Sequence, residues 1–572
     1  MLIDPVVWEQ CAKHQHVHSS VFSDICDGSV FKSNDLFKQP EITIQLILYQ
    51  DAFEIVNPLG SAKKKHKMIG VYFTLGNFEP FYRSCIDNIQ LSLLCYERDF
   101  NYFGQTKIFA KLLADVKELE EHGFVTSSGD IVRATIVAII GDNLGSHCIG
   151  GYSQNFSTAK HCCRYCLVSR SELQNVCVDF PNRTVESYKA AVETLRTTEE
   201  NVVNGLKFDS IFNSLKNFHV AQPGLPPCLG HDLFEGVVAI DLAIFLEYFV
   251  KRKWFSYTQL NRRLAQFKYL DSDAGSAPSQ ICEKGRKLGG QAAENWCLLR
   301  FLPVIIGDRV ESQDPVWQLT VKLKELVELV CAPKITTAQI AYLNVLIPEY
   351  LETRKELFPG ENLKPKHHYM LHYTSLILSL GPLIRLWSLR FESKHSYFKR
   401  SVRRTQNFKN VCKTLSHNHQ LLQAYLHSRS FFSPKLKSVD LATYSPHLYS
   451  DAVCKAVETS LLNEPDFVST RVEYKGTLYR KGNLICLKCE EENSILQFGQ
   501  IELIFVKDDE VTFLVTPRPS VYLHDYGLYE ILAATKELIC VNAEECLDYY
   551  PLNEYSFMGL KVITLKHSVV HL

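Results

Sequence analysis

Three acids carry the chemistry this chain can offer. Asp142 ends the apolar run and Gly141 of "IVAIIGD", Asp51 stands in "LYQDAF", and Glu392 in "LRFESKHSYFKR". Carboxylates of this kind suit Mg²⁺, a hard ion held through oxygen by a few acids, waters and substrate phosphates. Two such ions ~3.5–4 Å apart stabilise both the attacking and the leaving oxygen of an in-line displacement at phosphorus. A site for Mg²⁺ (or Mn²⁺) therefore needs Asp51, Asp142 and a third acid from farther along. Glu392 is preferred for that place over Asp232 and Glu235 of "GHDLFEG" because its flanks are basic. In the stretch around it, Phe391, Tyr397 and Phe398 alternate with Lys394, Lys399, Arg400, Arg403 and Arg404, which predicts a helix whose basic side lies along a phosphate backbone.

The elements that must position these acids follow from periodicity. Alternating segments at 41–55, 68–76 and 86–96 predict three strands in a meander, and "GSAKKKHK" reads as a polar, basic loop between the first two. Residues 106–123 place Ile108, Leu112, Leu113, Val116 and Leu119 at helical spacing and end on Gly123. The apolar run before Asp142 supplies a fourth strand that stops at a turn. The order β, β, β, α, β, with Asp51 near the end of the first strand and Asp142 just after the fourth, is the skeleton of ribonuclease H-like nucleic-acid enzymes. Two buried and two amphipathic helices follow before Glu392, so the core is interrupted by a mostly helical insertion. From about residue 466, short alternating strands predict a small all-β domain.

The motifs together resemble the transposases of CACTA/EnSpm elements, a DDE group whose second Asp is followed by a CxxC motif and then a Met/Leu-His motif. The resemblance rests on "GDNLGSHCIGGYSQNFSTAKHCCRYCL", "LPPCLGHDLFEGV" and "KHHYMLHYTSLILSLGPLIRLWSLRFESKHSYFKR", and spans roughly residues 41–425. It implies that Asp51, Asp142 and Glu392 are the three acids. It also implies that Cys163 and Cys166 are the CxxC, and that His231 is the family histidine, with Gly230 standing where Met or Leu is usual. A structural zinc closes on four N or S ligands. Cys163, Cys166 and His231 would leave one place, for which Cys162, His161, Cys148 and His147 are candidates. The competing reading of the CxxC is a pair of buried free thiols. His367, His368 and His372 of "KHHYMLHY" are assigned to core or polar packing, although the spacing of His368 and His372 permits a metal pair. Cys486 and Cys489 of "ICLKC" are assigned to a strand core.

The expected organisation is an N-terminal extension (1–40), a first part of the core with the CxxC (41–170), a helical insertion (171–365), the last part of the core with the basic helix (366–430), a linker (431–465) and a β-barrel-like domain (466–572). The 572 residues are 46% hydrophobic and 22% charged, as in a soluble globular protein. A net charge of −1 gives no global nucleic-acid signature, so DNA binding must rest on local patches. Nineteen cysteines without a signal peptide or an apolar run of membrane length predict a reducing compartment. The resemblance implies double-stranded DNA as partner (element ends and target), self-association, a nuclear location and no membrane. A domesticated DNA- or chromatin-binding protein that keeps the fold without the chemistry is the alternative, and a purely structural interaction protein a third.

Overall fold

The chain is described from a computed structural model, over residues 5–12, 20–55, 66–283, 285–405, 408–428, 432, 434–438, 440–460, 464–490 and 495–570. It is a mixed α/β protein that divides into two compact units. The first comprises Met1–Leu233 with Ile340–Ser433, and the second Phe234–Gln339 with Pro434–Leu572. Most of the predicted basic loop "GSAKKKHK" falls outside the described residues.

The first unit is built on a five-stranded sheet: β1 (Ile42–Glu54), β2 (Lys67–Leu75), β3 (Gln90–Tyr96), β4 (Phe124–Val125) and β5 (Ile131–Ile140), in the order β3-β2-β1-β5-β4. The predicted meander is present: β1 and β2 pair antiparallel with Asp51 opposite Gly70, and β2 and β3 pair antiparallel. The run before Asp142 is β5, preceded by the short β4 that the periodicity did not show. β5 lies parallel to β1 with Tyr49 opposite Ile140. Two residues farther along both strands, that register sets Asp51 beside Asp142. The strands approach so closely there that a Cβ on Gly141 would stand 3.1 Å from the Gln50 carbonyl oxygen, so glycine is the residue that fits.

Period-2 alternation gives the two faces of β1 different partners. Leu48, with Ile69 and Val71 of β2, packs with Leu113 and Val116 of α1 (Ala110–Glu121). The predicted helix over 106–123 is thus seen as α1, with a separate helix, Glu97–Ile108, before it. Asp142 then caps α2 (Asn143–Ile149). After the long intervening segment come α3 (Pro365–Met370), α4 (Leu389–Thr405) and α5 (Val411–His427). α4 crosses the other face of the sheet, where Tyr49 stacks on Phe391 at 5.0 Å, Phe53 on His395 at 4.2 Å and Tyr72 on Phe398 at 5.8 Å between ring centroids. Asp51 shares that face with Tyr49 and Phe53 and so points toward α4.

In the second unit, four helices within the predicted insertion (Ala239–Lys251, Tyr257–Gln266, Ala292–Ile306, Pro315–Val330) belong with the C-terminal strands. Those strands form several antiparallel sheets, centred on the long pair Ile495–Lys507 and Glu510–Arg518. Cys486 is buried in this part, as expected; the side chain of Cys489 lies outside the described residues. The physical reason for the grouping is a buried polar junction. Arg300 pairs with Asp273 at 2.7 Å and donates from Nε to the Leu565 carbonyl at 3.1 Å, while Trp317 donates to the Asp525 carbonyl at 2.8 Å. Removing one partner of a buried pair leaves the other charge uncompensated. Arg300→Ala is therefore expected to lower the stability of this unit by about 3–5 kcal/mol, read by urea denaturation; a loss below about 1 kcal/mol would show that the junction is incidental.

Candidate metal centres on the first unit

Asp51, Asp142 and Glu392 come from three elements that the sheet brings together. Asp51 Oδ1 accepts the Ala52 N–H at 2.7 Å, and Oδ2 lies 3.8 Å from His395 Nδ1. Burial, the charge of Asp142 and, more weakly, that of Glu392 push the Asp51 carboxyl up to about 6, against hydrogen bonds from Ala52 and Tyr49. His395 does not offset this, because burial and nearby Lys399 hold its ring down to about 3 and keep it neutral. Asp142 Oδ1 accepts the Gly145 N–H at 2.6 Å as the N-cap of α2. Glu392, in the first turn of α4, accepts from Ser388 Oγ at 2.7 Å. Asp51 feels the charges of the other two, but the three carboxylates do not form one of the groups of three or more ligand atoms lying within 4.8 Å of one another.

Among the described residues, Cys163, Cys166, His368 and His372 form a four-donor set, all buried, with ligand atoms within 4.8 Å of one another. Cys163 Sγ is 3.5 Å from His372 Nε2, Cys166 Sγ is 3.1 Å from His368 Nε2, and the two nitrogens are 3.3 Å apart. Zn–S bonds of ~2.3 Å and Zn–N bonds of ~2.05 Å at tetrahedral angles require about 3.6 Å between sulfur and nitrogen and about 3.3 Å between nitrogens. The donor set and its spacing thus fit a closed structural zinc site. Burial opposes ionisation of Cys163, but the hydrogen bond from Cys166 and the rings of His372 and His368 hold it well below the usual thiol range; the same sharing, with burial, pushes Cys166 up.

Two expectations are corrected here. His231 does not join Cys163 and Cys166. It lies in the π-helix Gly230–Val238 with Nδ1 3.2 Å from Cys228 Sγ, whereas His368 and His372, expected to be packing residues, complete the set. None of the four residues considered for the last place belongs to that set either: His147 Nδ1 is engaged at 2.8 Å by the Ser153 carbonyl, and His161 Nδ1 at 3.1 Å by that of Leu167. Cys148 Sγ accepts from Gln105 at 3.3 Å, and Cys162 is buried with its thiol pushed up to about 11. The second correction concerns Lys394. It is buried on the inner face of α4 and donates to the Ile86 carbonyl at 2.9 Å, so it cannot reach a phosphate. Lys399 is half-buried, while Arg400, Arg403 and Arg404 are exposed along the same helix.

Between the two centres runs a polar chain that sequence reading missed. Arg164, buried inside the CxxC, donates to Asn143 Oδ1 at 2.6 Å and to the Pro226 carbonyl at 3.1 Å. Asn143, next to Asp142, donates in turn to Asp232, whose other oxygen accepts the Cys228 N–H at 3.2 Å. Asp232 is thus held in this chain. Glu235, the other alternative, belongs to the second unit and accepts the N–H of Ala292 at 3.2 Å. One signal could have found these two histidines: CxxC and HxxxH are a zinc-type pairing, obscured by the separation of 202 positions from Cys166 to His368. No protein-family model and no curated protein matches this chain. Among the described residues, no helix is long and apolar enough to cross a membrane.

Two outcomes are expected. The purified chain should carry zinc, and His368→Ala should lose an equivalent by elemental analysis; at zinc a thousandfold above its Kd, the lost linkage is worth about 4 kcal/mol of stability. For Asp51, the folded value of about 6 lies above the ordinary 3.8, so its ionisation costs stability progressively as pH rises from 3.8 to 6 and fully above that. In chelator, Asp51→Asn should match the parent at pH 3.5 and exceed it by about 1–3 kcal/mol at pH 7.5, measured by chemical denaturation. An equal difference at both pH values would exclude the charge crowding.

Proposed function

We propose that the chain is a DDE-type DNA transposase, or a protein derived from one, whose core is ribonuclease H-like. The observation that carries this reading is Asp51 on β1 beside Asp142, which follows the end of the parallel strand β5, with the charge of Glu392 on α4 reaching Asp51. A strand order of β3-β2-β1-β5, antiparallel except for β1 and β5, is the one such a core requires.

Asp51, Asp142 and Glu392 would hold Mg²⁺ or Mn²⁺, which when bound supplies an activated water or 3′-hydroxyl and neutralises the leaving oxygen at phosphorus. Asp51, whose carboxyl burial and the charge of Asp142 push up to about 6, would give up its proton to such an ion. Asp142 is oriented by the N-terminus of α2. Arg400, Arg403 and Arg404, exposed on α4, would hold double-stranded DNA, at element ends and at the target, by its backbone, which positions without reading sequence. The Cys163, Cys166, His368 and His372 set would take a structural Zn²⁺. Self-association and a nuclear location belong to the same proposal.

Asn caps helices as well as Asp does, so Asp142→Asn preserves the fold. It is expected to reduce Mg²⁺- or Mn²⁺-dependent cleavage of duplex DNA at least about 10³-fold, roughly 4 kcal/mol of transition-state stabilisation. Cleavage that survives the change overturns the assignment, and a parent chain that binds DNA but never nicks it supports the domesticated binding protein instead.

A further inference from the structure

A second group of ligands stands apart from the zinc-type set and shares a residue with the acids. Cys228 Sγ, His231 Nδ1 and a Glu392 carboxylate oxygen all lie within 4.8 Å of one another. Cys228 to His231 is 3.2 Å, and His231 Nδ1 to Glu392 Oε1 is 3.9 Å. These separations bracket the ~3.4–3.6 Å that a tetrahedral ion imposes on neighbouring S, N and O donors. Ser388 Oγ, buried, sits 3.0 Å from Cys228 Sγ and donates to Glu392 Oε1 at 2.7 Å, which fixes the thiol and the carboxylate in one place. Cys228 is buried, whereas the side chains of His231 and Glu392 are 34% and 27% exposed. The local backbone is π-helical from Gly230, a geometry that recurs at functional sites.

We propose that Cys228, His231 and Glu392 form a second divalent-metal site, for a borderline-soft ion of the zinc class, with three protein ligands and an open position for water. One thiolate, one imidazole and one carboxylate is a donor set that hard Mg²⁺ does not choose. Binding releases the Cys228 thiol proton to solvent and leaves the ion with one negative ligand from sulfur and one from oxygen. The site draws on Glu392, which the acid centre also uses. Zinc taken up here therefore competes with Mg²⁺ or Mn²⁺ for that carboxylate, and the site is inhibitory; this regulatory half rests on the reading of Asp51, Asp142 and Glu392 as a hard-ion centre.

Full-length protein equilibrated with zinc, desalted and counted by elemental analysis should hold two equivalents per chain, and cobalt in place of zinc should show thiolate charge-transfer absorption for both. Cys228→Ser and His231→Ala should each bring the count to one, with the remaining equivalent at Cys163, Cys166, His368 and His372. His231→Ala alters a partly exposed ring and serves if Cys228→Ser does not fold. Manganese bound at the acid centre, followed by electron paramagnetic resonance, should weaken at least tenfold on zinc loading of the parent chain and not of His231→Ala. A parent chain that binds a single equivalent, or a second equivalent that persists in both variants, overturns the proposal. The count is read without DNA, so loss of the nuclease reading leaves it standing or fallen on its own.

Discussion

The first unit depends on one junction between distant parts of the chain. Cys163 and His372 are 209 residues apart, and Cys166 and His368 are 202 apart, yet their ligand atoms meet in a fully buried cluster. These donors contact one another, and an ion joining them would return its binding free energy as folding free energy. The loop so closed contains the Phe234–Gln339 part of the second unit, which has buried contacts of its own with the C-terminal part of that unit. Closing a loop of this length costs little more entropy than closing one half as long. The long excursion is therefore compatible with a stable sheet, provided its two ends are fastened.

What the junction fastens explains why the cysteines lie just behind Asp142. Arg164, between Cys163 and Cys166, reaches Asn143, and Asn143 reaches Asp232, so the turn after β5 is tied to the cluster and to the segment bearing Cys228. On the other side, α3 carries His368 and leads through Tyr373–Leu380 to α4 and Glu392. One cluster thus sets both the strand end that presents Asp142 and the helix that presents Glu392. The crowding of acids is an imposed one, and it shows in Asp51, whose proton is retained to about pH 6 by burial and by Asp142.

The strands and helices around the acids were legible because their periodicity is strong: β1, β2, β3 and β5 alternate or run apolar, and the Asp51 and Asp142 positions follow from where those runs stop. Pairing across sequence distance was not legible. The HxxxH in "KHHYMLHY" has no local feature that distinguishes ligands from buried packing histidines, and His367, its neighbour, instead accepts the Lys364 N–H at 3.1 Å. Lys394 misled for a related reason. On a helix with aromatic and basic residues interleaved, the buried stripe is fixed by which residues meet the sheet, and Phe391, His395 and Phe398 pull Lys394 inward with them. Its desolvated ammonium is pushed down to about 8, the signature of a lysine buried by its neighbours and not by its own preference.

Glu392 is where the physical demands on this unit converge. Its backbone belongs to the first turn of a helix held to the sheet by aromatic stacking, and its carboxylate faces Asp51 on one side and His231 with Cys228 on the other. Hardness separates the two directions: toward Asp51 the donors are all oxygen, toward Cys228 they are sulfur and nitrogen. A carboxylate could serve either kind of ion, which a thiol could not, so an acid is a side chain that would suit both proposed sites. Glu392 also adds its charge to the field that holds the Asp51 proton, though less than burial and Asp142 do.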